Sequence, residues 1–264
     1  MPTTSSSLFQ EYMFRAFDFS LTNWSKEDQQ KYFEVGSNAY AHNQEIVRKS
    51  LATFVQANGK LDGGAIRQNW FPQINADVFL SHSHADEKLA ISLAGLFSHF
   101  FLLRSFIDSC VWGCADELLR EIDDRHCLFE DKKSYNYILR NGSTSHVHMM
   151  LHTALAMMID STECAMFLNT PNSISTEQAV QKTESPWIFA EIATLRLVRP
   201  KYSRQLVKEG LHTITAKERL PIEHPVDLSS FARIDLDTLN RWIEQNAKSQ
   251  EHPLDILYAL VPPK

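Results

Sequence analysis

Apolar residues recur along this chain with two periods, and the change between them divides it. Phe9, Met13 and Phe17 are spaced four apart, which predicts a short helix over residues 8–20. Ser25 followed by Lys26-Glu27-Asp28 is a helix start, with a capping hydroxyl and acids in the first turn. That helix is expected to continue through Tyr40 toward Val55, broken or bent near Gly36, and to end by Asn58-Gly59. Gly63-Gly64 and Pro72 fall in the connection that follows. Residues 1–72 are therefore expected as a helical extension.

From Asp77 the pattern changes. Asp77-Val78-Phe79-Leu80-Ser81 is an apolar run of strand length, and Ser83-His84-Ala85-Asp86 is a turn. Leu89, Leu93, Leu96, Phe97 and Phe100 then follow a helical period, and Arg104–Asp108 is a second strand. Strand, helix and strand in about thirty residues form a βαβ unit and imply a parallel sheet. A polar stretch over 109–141 holds a short helix at Ala115–Ile122. Ser143-Thr144-Ser145 opens an apolar helix through Ile159, expected to be largely buried. Cys164–Leu168 is apolar throughout, as in a central parallel strand, and Asn169–Ser173 ends it. After a polar loop, Pro186 suits the first turn of a helix carrying Trp187, Glu191 and Leu195. One or two strands are expected within 205–234, and helices at Leu236–Gln245 and Leu254–Leu260. The expected division is a helical extension over 1–72, an α/β core over 77–199, and its completion with helices over 200–264.

Composition narrows the function classes. The chain has 264 residues, 44% of them hydrophobic, and a net charge of -6, so nucleic acid is not an expected partner. Glu11, Arg15 and Asp18 interrupt the apolar positions of the first 25 residues, so no secretory leader is expected. No apolar run reaches the ~20 residues that span a bilayer, so the expectation is a cytoplasmic protein without a membrane partner. Cys110, Cys114, Cys127 and Cys164 match no common zinc spacing, and His148 with His152 lacks the glutamate of a His-Glu-x-x-His site. No metal is expected.

Ligands of parallel α/β sheets bind beyond the carboxyl ends of the strands. That rule selects Ser81–His84, Asp108–Trp112 and Asn169–Ser173. No glycine-rich phosphate loop and no Gly-x-Ser-x-Gly elbow is present, which disfavours a Rossmann dehydrogenase, a P-loop NTPase and an α/β-hydrolase.

Asp77–Ser83 followed by Asp86, then Phe106-Ile107-Asp108, then Ser185-Pro186-Trp187 with Glu191, resemble in order the first strand, the second strand and the Trp-to-Glu helix box of Toll/interleukin-1 receptor (TIR) domains. The resemblance covers about residues 77–199. It implies a flavodoxin-like fold, a central parallel sheet with helices on both faces. It also implies either cleavage of NAD+ at the nicotinamide–ribose bond or a non-catalytic scaffold role through TIR–TIR assembly. NAD+ would be a substrate and no cofactor is required. Glu191 is the implied catalytic residue. Ser81, His82, Ser83, Asp108, Trp112 and Trp187 are the candidate substrate-binding residues. Trp187 also reads as a core residue, and Asp108 as a loop cap. Family members of this kind in bacteria commonly serve antiphage defence, as in Thoeris-type systems. There a cyclic ADP-ribose-like nucleotide reaches a downstream effector. Residues 109–142 depart from the family pattern in length and charge, and a lid or an oligomer contact is the expectation there.

Overall fold

The computed structural model describes residues 15–21, 24–41, 51–112, 115–131, 133–177, 180–183, 185–197 and 224–262. Its centre is a five-stranded sheet. The strands are β1 (Arg15–Phe19), β2 (Val78–Ser81), β3 (Ser105–Phe106), β4 (Cys164–Leu168) and, last in the chain, β8 (Ala232–Ile234). They lie in the order β3-β2-β4-β1-β8, and every pairing is parallel. This is a flavodoxin-like α/β fold. The β3-β2-β4 part follows the familiar order of such sheets, and the chain's first described strand fills the next position.

That placement corrects the helix expected over 8–20, of which residues 8–14 lie outside the described residues. Arg15, Phe17 and Phe19 are buried and Ala16 and Asp18 are partly exposed, which is a period of two. Register then fixes the strand against β4, with Arg15 opposite Cys164 and Phe19 opposite Leu168. β4 is buried along its whole length, as its unbroken apolar sequence requires between two parallel neighbours.

Helix α1 (Lys26–Ala41) is unbroken at Gly36, and the expected continuation over residues 42–50 lies outside the described residues. Leu51–Phe54 is a separate 3-10 turn, and Val55 bridges to Leu61. Gly63-Gly64, expected in a connection, instead opens α2 (Gly63–Trp70), where the Asp62 side chain accepts from the Ala65 amide at 2.9 Å. Helix α3 (Glu87–Phe101) is buried continuously from Ala90 to Phe97. Phe97 meets Phe19 of the sheet, and α1 covers the opposite side. Tyr32 lies against His99 and Phe100 while Gly36 lies against Ile91, so α1 and α3 run antiparallel. Glycine permits that approach. A Cβ on Gly95 would sit 2.0 Å from the Tyr32 carbonyl oxygen, and one on Gly36 2.2 Å from that of Ile91.

Helices α4 (Asp108–Val111) and α5 (Ala115–His126) follow β3; Asp108 opens the first of them instead of ending the strand. Helix α6 (Tyr137–Ser161) starts six residues before the expected serines, capped by Asn136, whose side chain accepts from the Ile138 and Leu139 amides. Its second half is packed through Ala154, Leu155, Met158 and Ile159, but Tyr137, Ile138 and Leu139 are exposed, so only part of it is buried. The polar stretch before Pro186 is an antiparallel hairpin, β5 (Ser175–Glu177) and β6 (Val180–Thr183), extended by β7 (His224–Pro225). Helix α7 (Pro186–Leu197) follows it. Of the strands expected within 205–234, residues 205–223 lie outside the described residues. Helices α8 (Leu236–Asn246) and α9 (Pro253–Leu260) close the chain, with Trp242 fully buried between Phe97 and Phe101. Among the described residues no helix is long and apolar enough to cross a membrane.

The glycine contact gives a paired prediction. Gly95→Ala forces α1 off α3 and should lower stability by about 1–3 kcal/mol. Gly142→Ala, in α6 with nothing within 4 Å, should raise it by about 0.5–1 kcal/mol. Denaturant unfolding of both variants checks the opposite signs.

Candidate active site

Helix α7 buries Ile188, Glu191, Ile192 and Leu195. The spacing of three and four residues makes this one stripe, and a carboxyl group lies in the middle of an apolar face. The start of the helix is well defined. Ser185 accepts the Ile188 amide at 3.3 Å through its hydroxyl, its own amide donates to Thr183 Oγ1 at 3.1 Å, and Pro186 supplies the first turn.

The stripe presses Glu191 against the carboxyl end of β2. Ser81, the last residue of that strand, donates its hydroxyl proton to Glu191 Oε2. Both residues are buried, at 1% and 5% exposure. Burial pushes the Glu191 carboxyl up to about 8, the neighbouring Asp108 carboxylate pushes in the same direction, and the Ser81 hydrogen bond opposes them. Asp108 stands at the start of α4, directly after β3. Its Oδ1 is 3.9 Å from Nδ1 of His82, whose side chain is buried. Ser81, His82, Asp108 and Glu191 thus converge from three elements on the edge of the sheet where ligands of such folds bind.

The other candidates stand differently. Ser83 opens the 3-10 turn His84–Asp86 and its carbonyl accepts from the Asp86 amide at 2.7 Å; its hydroxyl makes no cap. Trp112 is committed to the core. Its indole N–H donates to the Pro72 carbonyl at 2.8 Å, and its ring meets Phe106 and Phe71 edge-on. Trp187, one turn before Glu191, is partly exposed and stacks on His148 of α6 with ring centroids 5.2 Å apart. His148 is itself buried, neither ring nitrogen has a hydrogen-bond partner among the described residues, and burial lowers its pKa. Among the described residues no group of three or more His, Cys, Asp and Glu is placed to hold a metal ion.

Three hydrogen bonds at this edge are absent from the sequence-based set. Asn169 donates to Asp18 of β1 at 2.9 Å, and Asp86 accepts from Thr170 at 2.5 Å and Asn172 at 2.7 Å. Local pattern marks Asp86 only as a turn and cap residue. Its partners lie more than eighty positions away and carry no periodic signal.

Comparison of the chain with protein-family models, with curated proteins and with solved structures found no match.

The buried carboxyl makes stability depend on pH. Between about 4.5, its ordinary value, and 8 the folded chain keeps a proton that the unfolded chain has released. Its contribution is therefore fully present below the lower value and is lost as pH rises through the upper one. Glu191→Gln removes this dependence. Its Tm should exceed that of the wild type more at about pH 8.5 than at about pH 5. An equal difference at both would mean that Glu191 does not titrate in this window.

Proposed function

We propose that this protein is a cytoplasmic TIR-type enzyme that cleaves NAD+ between nicotinamide and ribose, releasing nicotinamide and linear or cyclic ADP-ribose. One observation carries the reading: a glutamate buried in the apolar stripe of α7, hydrogen-bonded by Ser81 at the carboxyl edge of a parallel sheet. A stabilising role alone accounts poorly for it, since burying an ionisable group without a cationic partner lowers stability. The sequence resemblance to TIR domains supports the same residue and supplies the reaction class.

The chemistry follows from the charge. Breaking an N-glycosidic bond develops positive charge on the ribose. An ionised Glu191 beside that carbon stabilises the transition state, and a unit charge pair at ~4 Å with an effective dielectric near 20 is worth on the order of 4 kcal/mol. Nicotinamide departs as a neutral base and needs no acid. The substrate also prepares its own catalyst, because the cationic pyridinium favours the ionised carboxyl and lowers its pKa on binding. Ser81 fixes the carboxyl's orientation. His82 and Asp108 line the same edge, where ribose hydroxyls offer them hydrogen-bond partners.

In this reading the product, where cyclic, is a diffusible signal for a separate effector in antiphage immunity, and the protein works through self-association. The scaffold alternative draws on a different observation, the exposed Phe129, Tyr137, Ile138 and Leu139 around the start of α6, which suit a protein contact.

Incubation with NAD+ and chromatography of the products separates these readings. Wild type should release nicotinamide, and Glu191→Gln should lose roughly a thousandfold in kcat/KM. Ser81→Ala should lose on the order of tenfold. Because the active form is deprotonated, kcat/KM should rise with pH and level off above about 8. No release by wild type at any protein concentration would leave the scaffold reading, and equal release by Glu191→Gln would remove Glu191 from the mechanism.

A further inference from the structure

The strand order reverses between β2 and β4: the chain leaves β2 for β3 on one side, and β4 lies on the other. In open α/β sheets this is where the ligand crevice opens. Its two lips are the turn over residues 82–86 and the loop over residues 169–174.

Asp86 joins them. It occupies the N-cap position of α3, yet its side chain makes no cap hydrogen bond to that helix. The carboxylate reaches from one loop to the other instead, accepting from Thr170 Oγ1 at 2.5 Å and from Asn172 Nδ2 at 2.7 Å. A side chain at an N-cap ordinarily serves the free amides of its own helix. Here that local use is given up for a contact between loops more than eighty residues apart. The far lip is hydrogen-bonded within itself. Thr170 Oγ1 accepts from the Asn172 and Ser173 amides, and Ser173 Oγ donates to the Leu168 carbonyl at 2.9 Å. On its other side the lip is tied to β1 through Asn169 and Asp18. Asp86 is buried, at 9% exposure, so water competes weakly for these bonds.

We propose that Asp86 is a positioning residue that fixes the separation of the β2 and β4 lips, and with it the width of the crevice that receives the substrate. The proposal rests on the NAD+-cleaving reading for its substrate, while the tie between the lips stands on the geometry alone. Asp86 acts through the loops and touches none of the reacting atoms. Its loss therefore weakens substrate binding and leaves the chemical step at Glu191 largely intact.

The test uses the full chain with Asp86→Ala and Asp86→Asn, measuring nicotinamide release against NAD+ concentration, Tm, and amide hydrogen exchange. Asp86→Ala should raise KM about tenfold or more with kcat within about threefold, in keeping with one or two lost charge-assisted hydrogen bonds. Exchange should quicken in 82–86 and 169–173 together, while Phe79–Ser81 and Ala165–Leu168 stay protected. Asp86→Asn keeps one acceptor oxygen and should fall between wild type and Ala. An unchanged KM in Asp86→Ala, or a loss confined to kcat, overturns the positioning role even if Tm falls. If wild type releases no nicotinamide, the NAD+ reading fails and the tie is judged on exchange. Joint quickening of both lips then supports it, and quickening confined to 82–86 overturns it.

Discussion

Strand β4 is held on both sides at once, by β2 through Val78–Ser81 and by β1 through Arg15–Phe19, and the carboxyl edge is built on that double pairing. It places the end of β2 beside the loop that follows β4, so Ser81 meets Glu191 on one side and Asp86 meets Thr170 and Asn172 on the other. It also demands that both faces of the sheet be covered. Phe17 and Phe19 share one face and meet α9 and α3, and the glycine contact seats α1 on the outside of α3. Parallel pairing of strands about 150 residues apart in sequence carries a large loop-closure entropy. The continuous apolar run of β4, buried at every position, is what offsets it.

The carboxyl edge shows how an apolar helix stripe raises the energy of an ionised group. Ile188, Ile192 and Leu195 carry Glu191 into the interior, and Asp108 adds a like charge nearby. The Ser81 hydrogen bond does not fully compensate, so the carboxyl keeps its proton well above the ordinary range. A group held in that condition responds strongly to a positive charge brought against it. Under the proposed function, substrate binding and activation of the carboxylate are then one electrostatic event.

Much of the core was legible because its signals are local. The short apolar run at Asp77–Ser81, the helical period from Leu89, the unbroken apolar run of β4 and Pro186 before the Trp187 helix each declare an element within a few residues. Arg15–Phe19 was not legible, since Phe9, Met13 and Phe17 also fit a helix and the deciding partner is β4. Gly36 read as a break because glycine weakens helices; its purpose is a contact with Ile91 that no local pattern announces. Glu191 and Ser81 were each visible as candidates, but their hydrogen bond and the burial that sets the carboxyl's pKa belong to the tertiary structure. Asp86 carried a correct local signal, a residue before a helix, and a side chain turned to a different use.

The chemistry proposed for the carboxyl edge depends on Glu191 being a buried carboxyl that keeps its proton near neutral pH. Carbon-13 NMR of the protein labelled at glutamate Cδ, with the Glu191 resonance assigned by its loss in Glu191→Gln, reads that proton directly. The expected titration midpoint in the free protein is about 8. A midpoint in the ordinary carboxylate range, close to 4.5, would contradict it.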